Sequence, residues 1–104
     1  MKIVCLSDTH GLHRQVHIPK CDMIIHAGDY TNVGRHYEHD DFCRWFAGIK
    51  AEYRVCIAGN HDFCASEIID FKHRMEEDFP QITYLQDDYI KFLRLAYASD
   101  FIGV

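Results

Sequence analysis

KIVCLSDTH, residues 2–10, joins a β-branched apolar run to an abrupt polar cluster, and the chain makes the same join twice more. Residues 22–31 read DMIIHAGDYT, and residues 53–62 read YRVCIAGNHD. Each apolar half has the composition of a buried strand. Between the second and third, Phe42, Trp45, Phe46 and Ile49 recur at intervals of three and four, which predicts one amphipathic helix face. Ile68, Phe71, Met75 and Phe79 repeat that spacing in a second helix, closed by Pro80. Ile82 to Leu85 fits a fourth strand and Gln86-Asp87-Asp88 a turn, after which Ile90, Leu93, Tyr97 and Phe101 permit a short helix. Strands alternating with helices predict an α/β chain of order β-α-β-α-β with mainly parallel strands.

Composition narrows the functional classes. The 104 residues are 48% hydrophobic and 26% charged, which excludes a disordered or collagen-like chain and allows one domain, residues 1–104. Ile3 to Leu6 is as long as any purely apolar run, far short of the ~20 residues a membrane helix needs. Ser7, Asp8 and His10 interrupt any signal-peptide core, so a cytoplasmic location is expected. The five cysteines are an odd number with no C-x-x-C pair, which predicts reduced, buried thiols, with Cys5 and Cys56 acting as small hydrophobes within strands. A net charge of −5 argues against an extended nucleic-acid surface. A small phosphate substrate stays open, because a bound metal reverses the local field.

In parallel sheets, sites collect at the carboxyl ends of the strands, where all three polar clusters lie. Asp8-x-His10 offers a carboxylate and an imidazole. Asp29 follows Gly28, whose missing side chain permits close approach, and Asn60 and His61 follow Gly59 in the same way. These donors suit a divalent metal such as Mn, Fe, Zn or Ni. A single Asp after a strand is more often a turn former than a ligand, so the ordered set carries the argument. Asp62 reads as a cap of the following helix, with orientation of His61 as the alternative. His26 reads as a satisfied core histidine beside the site. His13 and His17 are expected in solvent, His36 and His39 on a solvated face, and His73 off the apolar face of its helix.

Ser7-Asp8-Thr9-His10, His26-Ala27-Gly28-Asp29 and Ala58-Gly59-Asn60-His61-Asp62 together resemble the first three motifs of the calcineurin-like metallophosphoesterases. The strings SDTHGLH and HAGDYTNVG are most similar to the small metallophosphoesterase-domain-containing branch. The resemblance implies a partial metallophosphoesterase fold, the first half of a two-layer β-sandwich flanked by helices. It also implies hydrolysis of phosphomonoesters or phosphodiesters, of small or nucleotide type, by a metal-bound hydroxide. Asp8 and His10 would bind the first metal, Asp29 would bridge two, Asn60 would bind the second, and His61 would act catalytically at the leaving group.

The family completes its site with three further histidines, two of them in G-H-x-H, and only His73 follows His61 here. A C-terminally truncated domain is therefore expected, in which the first metal site fills and the second does not. The alternative function is a catalytically inactive fragment that binds at most one metal and serves as a structural or interaction module. An inner sheet face without its second layer points to a homodimer, to pairing with a missing fragment, or to marginal stability. A Rossmann-type nucleotide site is excluded, since no G-x-G-x-x-G follows the first strand.

Overall fold

The computed structural model describes residues 1–68, 70–86, 89–90 and 102–103. Strands β1 (Ile3–Leu6), β2 (Met23–His26), β3 (Tyr53–Cys56) and β4 (Thr83–Tyr84) form a parallel sheet in the order β1-β2-β3-β4. Ile3, Met23 and Tyr53 lie in register at its start, and Leu6, His26 and Cys56 at its end. Helix α1 (His36–Ala47) crosses from β2 to β3, while α2 (Cys64–Glu67) and α3 (Phe71–Asp78) lie between β3 and β4. Two short strands, β5 (Tyr89–Ile90) and β6 (Ile102–Gly103), pair antiparallel. This is the α/β, mainly parallel arrangement that the alternation of elements predicts. The helix proposed over Ile90 to Phe101 and the turn at Asp87-Asp88 lie outside the described residues, apart from Ile90 itself, which is in β5.

Alternate strand residues face opposite sides. One side presents Ile24, Cys56 and Tyr84 to Phe42, Cys43, Phe46, Phe71 and Met75 of the helices, and this layer is the main core. The other side gathers Met23, Val55 and Leu85 into a smaller buried cluster, flanked by Ile25, Tyr53 and Ile57. Ile3, on the edge strand β1, is 42% exposed.

Both helices end earlier or begin later than their apolar spacing suggests. Ile49 lies past the end of α1, which closes at Gly48. Ile68 sits in extended backbone after α2, and Asp70, at φ 55°, separates it from α3. Both side chains still pack on the core, so the apolar period records burial beyond the helix itself.

The five cysteines all stand as thiols outside any disulfide. Cys5 is exposed, not buried, because β1 is an edge strand. His39 is 7% exposed, against the expectation of a solvated face. It precedes Phe42 by three residues and Cys43 by four, which puts it on the apolar face, where its Nδ1 lies 2.9 Å from the Tyr30 hydroxyl. His13 is also buried, at 1% exposure, because Asp41 supplies a partner. His73 is exposed as expected and pairs with Glu77, one turn on.

Candidate metal centre

The three polar clusters follow the carboxyl ends of β1, β2 and β3 and meet along one sheet edge. The first two run side by side. The Asp8 amide donates to the Gly28 carbonyl at 3.0 Å, His10 to Asp29 at 3.0 Å and Gly11 to Tyr30 at 2.9 Å. This pairing holds Asp8, His10 and Asp29 at φ of 56°, 45° and 59°, in the left-handed region. Such backbone costs about 1–3 kcal/mol per residue and persists only where its surroundings enforce it. Its effect is to turn three side chains toward one point.

One ligand atom from each of Asp8, His10 and Asp29 lies within 4.8 Å of the other two. His10 Nδ1–H donates to the Thr31 carbonyl at 3.0 Å. Since a carbonyl only accepts, this bond sets the tautomer and leaves the lone pair on Nε2, 3.7 Å from Asp8 Oδ1. The Ser7 hydroxyl holds the exposed Asp8 carboxyl below its ordinary range. Two carboxylates and a correctly turned imidazole, pointing together, are a donor set that fits a divalent ion.

The third cluster closes on Asp29. The His61 amide donates to Asp29 Oδ1 at 2.8 Å. With its NH2 turned inward, the Asn60 amide donates to Oδ1 and Oδ2 at 3.1 and 3.0 Å. Asn60 is thus beside Asp29, where the resemblance places a second-site ligand. The His61 ring meets His10 edge-on, with centroids 4.7 Å apart. Its Nδ1–H donates to the Asn32 carbonyl at 3.1 Å, so Nε2 is the nitrogen left for other work.

Glycine is needed at two points of this junction. A Cβ on Gly59 would collide with Asp29 Oδ1 and stand 2.5 Å from the Asp29 nitrogen. One on Gly28, which has φ 99°, would stand 2.7 Å from the Gly59 nitrogen. The two loops touch backbone to backbone.

Asp62 neither caps the following helix nor orients His61. It is 2% exposed, and its carboxylate accepts the amides of Asp29 (2.8 Å), Tyr30 (3.3 Å), Thr31 (2.8 Å) and Gly59 (2.9 Å), together with the Thr31 hydroxyl (2.7 Å). One buried anion therefore gathers the donors that the two loop turns leave unpaired. His26, fully buried, is the satisfied core histidine expected. Its Nδ1 accepts from the Gly28 amide and its Nε2–H reaches the Thr9 hydroxyl, between Asp8 and His10. Burial pushes its pKa down to about 4, so the ring is neutral at physiological pH.

The sequence carries no signal that marks Thr9, Thr31 or Asn32 as site residues. Thr31 and Asn32 act through backbone carbonyls, and no side-chain pattern announces those. Thr9 lies inside the D-x-H motif, and only the fold brings it to His26.

The parallel α/β sheet thus carries an Asp-His-Asp centre and an adjoining Asn-His pair at its carboxyl edge. A family model described as calcineurin-like phosphoesterase matches residues 1–103, and the chain belongs to that family. Human metallophosphoesterase domain-containing protein 1 is 41% identical over 61 residues, 59% of this chain and 19% of that protein. A UPF0046 protein of Caenorhabditis elegans is 33% identical over 98 residues, 84% of this chain and 34% of that one. A protein of Emericella nidulans named probable rhamnogalacturonate lyase C is 31% identical over 90 residues, which are 8% of its length. The chain thus spans about a third or less of each of these relatives. No described helix is long and apolar enough to cross a membrane.

Proposed function

We propose that this chain binds a divalent metal through Asp8, His10 and Asp29 and hydrolyses phosphate esters, with small or nucleotide phosphomonoesters and phosphodiesters as its substrate class. The observation that carries this reading is the convergence of those three ligand atoms within 4.8 Å, with His10 locked in the ligating tautomer. A bound divalent cation supplies Lewis-acid charge to a phosphoryl group and makes water acidic enough to attack it near neutral pH. The chain's own residues then have separable tasks. Asp8 and Asp29 offset the cation's charge, and the Thr31 carbonyl keeps the His10 lone pair aimed outward. His61, held by Asn32, presents Nε2 to hold a proton for the departing oxygen.

Among the described residues, the second site that the resemblance implies has Asn60 and a share of Asp29, and the Asn60 amide is neutral and turns its NH2 to Asp29. This favours filling of the first site alone. The test is hydrolysis of bis-p-nitrophenyl phosphate by metal-stripped protein as Mn²⁺ is titrated in, with Asp29→Ala alongside. Turnover that rises with Mn²⁺ and is lost in the variant is the expected result. Mn²⁺ binding without turnover would instead identify a metal-binding structural or interaction module, and no Mn²⁺ binding would remove both readings.

A further inference from the structure

The metal centre leaves one histidine of the SDTHGLH string unused. His13 stands three residues after His10, in a short 3-10 turn over His13–Gln15, and is 1% exposed. Its ring lies edge-on to Phe42 at 5.5 Å and against Trp45 at 5.0 Å. Its Nε2–H donates to Asp41 Oδ2 at 2.8 Å, and Arg14 holds the other oxygen, Oδ1, at 2.8 Å. Phe42, Trp45 and Asp41 all belong to α1.

The other ring nitrogen, Nδ1, is buried with no hydrogen-bond partner among the described residues. An apolar side chain would fill the same slot without stranding a polar atom, so packing alone does not select histidine here. What the imidazole adds is a directional bond to a helix 28 residues away in sequence. The loop it terminates is the strained one. Asp8 and His10 sit at positive φ, and their amides are held by the β2 loop on one side. The loop's far end needs a fixed point as well, because left-handed backbone at non-glycine residues relaxes unless its neighbours over-determine it.

We propose that His13 is a positioning residue for the first metal site: its hydrogen bond to Asp41 clamps the Asp8–His10 loop onto α1 and holds those two ligands in their converging geometry. The inference rests on the metal-centre reading above.

The test is Mn²⁺ affinity of the purified chain, read from the electron paramagnetic resonance of the free ion, for wild type and for His13→Leu, His13→Asn and His13→Gln. Glutamine places an amide N–H where Nε2–H stood and keeps the donor, whereas asparagine reaches only as far as Nδ1. His13→Leu and His13→Asn weaken binding ~10- to 100-fold and His13→Gln stays within about threefold of wild type, the scale of groups that orient metal ligands. His13→Leu melts no lower than wild type, which separates positioning from a structural role. Undiminished Mn²⁺ affinity in folded His13→Leu overturns the proposal, as does equal affinity in the Asn and Gln variants. That second comparison decides alone if the leucine variant does not fold. A wild-type chain that binds no Mn²⁺ overturns the metal centre, and this inference with it.

Discussion

At the scale of single residues, the site depends on groups that never touch a ligand. Asp62 is the clearest, since five donors from two loops end on its carboxylate. Truncation to alanine strands buried amides around a cavity, and hydrogen bonds to a charged acceptor are each worth ~1.5–3 kcal/mol. Asp62→Ala is therefore expected to lose about 3 kcal/mol or more, read as a lower urea midpoint at unchanged slope. Gly59→Ala acts differently. Its new methyl meets Asp29 itself, so either Asp29 or the third loop must retreat. Mn²⁺ affinity falls at least ~10-fold while the chain stays folded, because the displaced group is a ligand and not a core residue. Full affinity in Gly59→Ala would mean that the loops can separate without cost.

Among the elements, α1 joins the core to the site. Phe42 is fully buried, stacked on Tyr30 at 4.2 Å and on Phe46 at 5.1 Å, and edge-on to His26 at 4.9 Å. At its first turn, Glu38 accepts the amides of Asn32, Val33 and Arg35 and so gathers the β2 loop. Phe42→Ala is expected to cost about 3–5 kcal/mol, a large part of a small domain's stability, measured by thermal or urea unfolding. The existence of α1 was legible, because four apolar residues at helical spacing have one simple explanation. The burial of its His39 was not. Its Tyr30 partner lies on another element, and polarity alone argued for solvent.

For the molecule as a whole, pH tests how tightly the two layers close over buried imidazoles. Burial lowers the His26 pKa from 6.5 to about 4, and burial lowers that of His39 as well. The unfolded chain binds protons at pH values where these buried rings do not. Stability from His26 is therefore fully present above pH 6.5 and is lost as pH falls toward 4, by about 3 kcal/mol in all. Urea unfolding at intervals between pH 7 and pH 4 should show the decline, and His26→Gln, which cannot titrate, should flatten it. A pH-independent midpoint in wild type would show that His26 is solvated in solution.

Local residue choice is enough to read the parallel α/β order and to mark Asp8, His10, Asp29, Asn60 and His61 as polar residues just beyond the strand ends. Strands, helix faces and strand-end polar clusters are each written in neighbouring residues, with periods of two or about 3.6. Tertiary structure alone decided the work of Asp62, the tautomer of His10, the contact of Gly59 with Asp29 and the burial of His13. Each of these depends on a partner 21 to 33 residues away. A buried polar group takes its meaning from the donor or acceptor that the fold brings to it, and sequence spacing carries no record of that partner.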